Sequence, residues 1–145
     1  MKYINAIILV GGFLGLLSCG DDNEKPKDIV AESAEWSVLV DEELVEGDKL
    51  SLIYVTDVGY ELRLSQTGGT KSVLFNFFNK PKVKTYTSES QLVGEYSPEM
   101  GVADDFDEGQ LIITKYNADS LVATFSYNTF EHRELEEGVI KAKLR

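Results

Sequence analysis

The sequence predicts an all-β domain, a small antiparallel β-sandwich or partly closed β-barrel of about eight strands, set behind an N-terminal signal peptide. Three observations carry this expectation. From Trp36 onward apolar residues recur at every second position, and runs of Gly, Asn, Asp and Pro punctuate them at short intervals. No helical pattern of ~10–15 residues alternates with the strands, which argues against a parallel βαβ arrangement.

Lys2 supplies the positive start of a leader, and Ile4, Ala6, Ile7, Ile8, Leu9, Val10, Phe13, Leu14, Leu16 and Leu17 form its apolar run. The charge-free stretch reaches only from Tyr3 to Gly20. That length is marginal for ~30 Å of hydrocarbon, so residues 1–18 read as a signal peptide in preference to a transmembrane anchor. The run closes on Leu16-Leu17-Ser18-Cys19, which resembles the lipobox of bacterial lipoproteins, where a small residue precedes a cysteine that is diacylated, freed by cleavage and then N-acylated. Cys19 is the only cysteine in the chain, so its acylation would leave no thiol for a disulfide, a metal site or a nucleophile.

Residues 19–32 read as a flexible acidic tether, because Gly20-Asp21-Asp22-Asn23-Glu24-Lys25-Pro26-Lys27-Asp28 has no aromatic or β-branched side chain to bury. Asp21 and Asp22 also resemble the surface-export signal of Bacteroidota lipoproteins. The resemblance implies an outer-membrane protein whose domain faces outward.

Residues 33–145 form one β-rich domain, long enough for a single core and expected to be monomeric. Cleavage after Ser18 would leave 13 basic and 25 acidic residues, a net charge of −12. An acidic surface of this kind disfavours nucleic acid and anionic lipid headgroups.

Trp36, Val38 and Val40 alternate first, although the charge between Glu32 and Glu46 leaves a short helix as an alternative. Leu50-Ser51-Leu52-Ile53-Tyr54-Val55 and Tyr60-Glu61-Leu62-Arg63-Leu64 flank the turn signal Asp57-Val58-Gly59, which predicts a hairpin. Gln66-Thr67-Gly68-Gly69-Thr70 is the next turn, and Val73, Phe75 and Phe77 then share a face until Pro81 ends the run. Between Val83 and Tyr96 the pattern is less regular, with Gln91–Tyr96 the best strand. Gln110–Tyr116 and Leu121–Tyr127 flank the turn Asn117-Ala118-Asp119-Ser120, with Leu121, Ala123, Phe125 and Tyr127 on one face. The closing strand turns Ile140, Ala142 and Leu144 inward and its lysines outward, the pattern of an antiparallel sheet with one wet face.

The order of these features resembles a family of uncharacterised Bacteroidota lipoproteins with an all-β domain. The residues that carry it are Trp36, Gly94-Glu95-Tyr96, the strands led by Gly109 and Leu121, and Gly138-Val139-Ile140. Ala123 stands where such families have glycine. The resemblance implies a fold and an address and no activity.

Asp104-Asp105-Phe106-Asp107-Glu108-Gly109 is the densest acidic cluster, the type of donor set a hard cation requires. It lacks the third loop ligand and the twelfth-position Glu of an EF-hand, so it reads as a solvated loop and not as a metal site. His132 is the only histidine, in the charged stretch Glu131-His132-Arg133-Glu134, and no Gly-x-Ser-x-Gly elbow accompanies it. Carboxylate pairs of the glycosidase type are too numerous among 25 acids for any one to be singled out. Trp36 and the tyrosines at 54, 60, 86, 96, 116 and 127 could offer a sugar-stacking platform, but strand positions favour packing. The expectation is therefore a noncatalytic module anchored to the membrane through acylated Cys19, without cofactor, binding a glycan or an envelope protein. A small carboxylate-dependent hydrolase acting on surface glycans is the alternative.

Overall fold

Alternation of inward apolar and outward polar side chains builds the fold strand by strand. The computed structural model describes residues 27–89 and 92–145, so Cys19, Asp21 and Asp22 lie outside the described residues. Eleven strands are present: β1 Ile29–Val30, β2 Ser33–Val40, β3 Glu43–Gly47, β4 Lys49–Val55, β5 Gly59–Ser65, β6 Ser72–Phe77, β7 Lys84–Thr87, β8 Leu92–Ser97, β9 Asp104–Tyr116, β10 Ser120–Thr129 and β11 Glu134–Lys143. No helix occurs among the described residues. In β10 every second residue from Leu121 to Thr129 is buried. The same two-residue period sets the register throughout, since a slip of one position would turn the apolar face to water.

All pairings are antiparallel, in the order β1-β4-β5-β6-β8-β9-β10-β11-β2-β3, and the sheet curls into a half-barrel. The partly closed barrel is thus the form the expected all-β architecture takes. Long β9 carries two partners on one edge, β8 at Asp104 and Asp105 and β7 from Ile113 to Gln110. Across the mouth, Trp36 Nε1 donates to the Ser65 carbonyl at 3.1 Å, tying β2 to the far side of the half-barrel.

One continuous core fills the interior. Phe75 sits at its centre, with ring centroids of Phe125 at 5.2 Å, Phe106 at 5.7 Å and Tyr127 at 6.0 Å. Phe106 and Tyr127 stack at 4.3 Å. Glycines opposite the large rings make room for them: Trp36 faces Gly47, Phe125 faces Gly138 and Tyr127 faces Gly109. A Cβ at Gly138 would come within 2.6 Å of the Phe125 ring. Beside it, Glu137 adopts a φ of 52° where the pairing of β11 with β2 shifts register, so a bulge bends the strand at this corner.

Three sequence expectations are corrected and one alternative is excluded. The described residues form eleven strands and not about eight, because short β1, β3 and β7 carry too few apolar residues to show a period. The tether does not run to residue 32: Ile29 and Val30 pair with Leu52 and Ser51, Ala31 N–H donates to Leu50, and Glu32 N–H donates to Lys143. The stretch from Glu32 to Glu46 contains no helix, being the β2–β3 hairpin. Its turn places Asp41 and Glu42 at φ of 52° and 69°, the left-handed geometry that two-residue hairpins require. Finally, Asp104 to Glu108 is not a loop but the first half of β9.

Candidate functional site

The acidic stretch is the natural place to look for chemistry, and its strand conformation decides what it can do. Asp104 points inward and is 4% exposed, while Asp105, Asp107 and Glu108 face water. Alternation therefore separates the carboxylates that a loop could have gathered around an ion. Among the described residues no group of three or more His, Cys, Asp or Glu side chains converges as a metal site.

Asp104 has a structural role that the sequence reading missed. Its Oδ2 accepts the Thr129 hydroxyl at 2.8 Å and lies 3.4 Å from Arg133 Nε, and its Oδ1 accepts the Glu131 N–H at 3.2 Å. Arg133 also reaches Asp41 at 3.1 Å, whose other oxygen accepts the Glu134 N–H at 3.0 Å. A buried carboxylate with three donors thus fastens the β10–β11 connection to the β2–β3 turn.

A second carboxylate group lies on the outer face of the sheet. Register places Arg63, Leu74, Glu95 and Asp105 side by side across β5, β6, β8 and β9, with Glu61 and Asn76 in the next row. Arg63 pairs with Glu61 at 2.9 Å. Partial burial holds the Glu95 carboxyl above its ordinary value of 4.5, and the Asp105 and Glu61 carboxylates add to the effect while Arg63 opposes it. A raised folded-state value means that the fold binds this proton more tightly than the unfolded chain does. The contribution of Glu95 to stability is then fully present below pH 4.5 and is lost as pH rises through the interval above it. Glu95→Gln should accordingly be more stable than wild type at pH 7, with the gap closing near ~pH 4 as Glu95 itself protonates. Urea unfolding at both pH values checks this, and an equal difference at each would refute it.

The remaining candidates are dispersed. His132 is exposed in the β10–β11 connection at a φ of 64°, as the solvated-loop reading expected, and its backbone N–H donates to the Thr129 carbonyl at 3.0 Å. Trp36 is only 3% exposed and Tyr86, Tyr96 and Tyr127 are buried, so they pack the core and form no stacking platform. Tyr54 is 42% exposed and meets Tyr60 edge-on at 5.3 Å. Asp107 and Glu108 line an open groove of about 660 Å³ with Ser88 and Glu89, where the pairing of β9 passes from β8 to β7. No family model, no curated protein and no solved structure matches the chain. Sequence reading missed Glu61, Arg63 and Glu95 as a group, since only cross-strand register brings them together.

Proposed function

We propose that this chain is a lipid-anchored lipoprotein of the cell envelope, whose half-barrel is a noncatalytic binding or accessory module for a glycan or an envelope protein. One observation carries the reading: the charge-free apolar leader ends on Leu16-Leu17-Ser18-Cys19, and the chain has no other cysteine. The polar stretch before the first strand supports it, as does the resemblance to Bacteroidota lipoproteins with an all-β domain. Acylated Cys19 is the attachment proposed, and no helix among the described residues is long and apolar enough to cross a membrane. Growth with a labelled fatty acid should mark the mature chain, and an unlabelled chain defeats the reading.

The proposed outward location rests on Asp21 and Asp22. Added protease should digest the domain on intact cells, and replacing both acids with Ala should protect it without changing its lipidation. Digestion of the wild-type domain only after lysis would overturn the surface location alone.

The raised Glu95 carboxyl beside Asp105 is the observation that favours the second reading, a carboxylate-dependent hydrolase. A glycan-binding array and a panel of glycoside substrates, both run on the anchored protein, separate the two. Turnover that Glu95→Gln abolishes selects the hydrolase.

A further inference from the structure

The end of the half-barrel where the chain enters differs in character from the rest. Asp28 Oδ1 accepts the Tyr54 N–H at 3.1 Å, so the first described residues lie against the end of β4. Tyr54 is opposite Tyr60, Tyr60 opposite Phe77 and Phe77 opposite Leu92, which brings the β4–β5 turn and the end of β6 to one rim. Beyond that rim stand Val58 and Phe78, both exposed, with the Phe78 side chain 67% open to water. The chain then continues through exposed Lys80, Lys82, Val83 and Lys84.

This loop is built, not loose. Pro81 is buried, and the buried Tyr86 hydroxyl accepts the Lys82 N–H at 2.7 Å and donates to the Lys82 carbonyl at 3.2 Å. Tyr86 also packs edge-on against Phe77 at 5.0 Å and carries the Lys84 ammonium 4.4 Å from its ring centre. Lys80, Lys82 and Lys84 follow one another along this loop, in a chain of net charge −11, and outnumber Asp28 and Asp57 at the same rim. Exposed aromatic and aliphatic side chains beside lysines match a phosphate-bearing lipid surface, where rings enter the headgroup boundary and ammonium groups meet phosphate.

Geometry supplies the occupant. Eight residues lie between Cys19 and Asp28, so the entry rim can stand no more than ~30 Å from the anchored sulfur. A tether that short holds this rim next to the bilayer at an effective concentration on the order of mM, sufficient for a weak patch to bind.

We propose that the rim formed by Val58, Phe78, Lys80 and Lys82 docks on the anionic headgroup layer of the membrane that holds Cys19, with the β8–β9 connection turned away from it. The proposal rests on the lipid-anchor reading. It also revises locally the expectation that an acidic surface keeps the domain off such lipids.

Acylated protein carrying Phe78→Cys has one free thiol, to which an environment-sensitive fluorophore can be attached. It would be reconstituted in phosphatidylcholine vesicles containing phosphatidylglycerol and brominated acyl chains. The expected result is a blue-shifted emission quenched by the bromines, lost when Lys80 and Lys82 are both changed to Glu. A fluorophore at Met100→Cys, on the opposite end and 86% exposed, should emit as in water. Vesicle-bound protein whose position-78 fluorophore also emits as in water overturns the docking and leaves the anchor standing. Protein that does not float with the vesicles overturns both.

Discussion

Phe125→Ala should cost the domain about 3–5 kcal/mol, the loss expected when an aromatic ring leaves a packed core. The ring is 3% exposed, lies edge-on to Phe75 at 5.2 Å and fills the space over Gly138. Its removal empties a volume bounded by a glycine on one side and a ring on the other, and Gly138 offers no side chain to collapse inward. A domain of this size is stable by only ~5–15 kcal/mol, so the substitution consumes a large fraction of the whole. Urea unfolding of the two proteins measures the difference. A midpoint within experimental error of wild type would mean that Phe125 is not the core residue described, and Phe125→Leu should recover part of the loss.

If the proposed lipid anchor holds, Cys19→Ser should abolish lipidation altogether. The diacylglycerol is carried on sulfur in the lipoproteins whose lipobox Leu16-Leu17-Ser18-Cys19 resembles, and the chain has no second cysteine to substitute for it. The variant should accumulate as a precursor that still holds residues 1–18, visible as a larger species that takes up no labelled fatty acid. Since each buried CH₂ adds ~0.8 kcal/mol, the loss of several acyl chains removes nearly all of the membrane affinity that the anchor supplies. Undiminished label in the variant would refute the assignment.

Strands were legible in the sequence where one face is apolar and the other polar. Leu121, Ala123, Phe125 and Tyr127, the run Val73-Phe75-Phe77, and the closing Ile140-Ala142-Leu144 were all read on the correct face, and all are buried. The period vanished where a polar residue takes an inward position. Asp104 replaces an apolar side chain in the first half of β9, and its hydrogen bonds with Thr129 and Glu131 cannot be read from neighbours in sequence. Edge strand β3 is short and has Glu at 43 and 46, as suits an edge that must not recruit another chain. Register was illegible for the same reason that hid the carboxylate row: Glu61, Glu95 and Asp105 are far apart in the chain and become neighbours only through pairing. No period in the sequence marks the apolar, lysine-bearing rim, since Val58 and Phe78 lie on separate connections that strand pairing brings together.

The pairing of β2 with β11 ties the start of the domain to its end, with Trp36 opposite Ile140 and the Asp41 N–H donating to the Glu134 carbonyl. Chains are synthesised from the N-terminus at ~5–20 residues per second, so β2 emerges seconds before the strand that will cover its edge. The β4–β5–β6 meander has its partners early. The half that contains Trp36 stays open until β11 has been made. A sheet that is completed only when β11 arrives leaves the edge of β2 waiting for its partner throughout the synthesis of the strands between them.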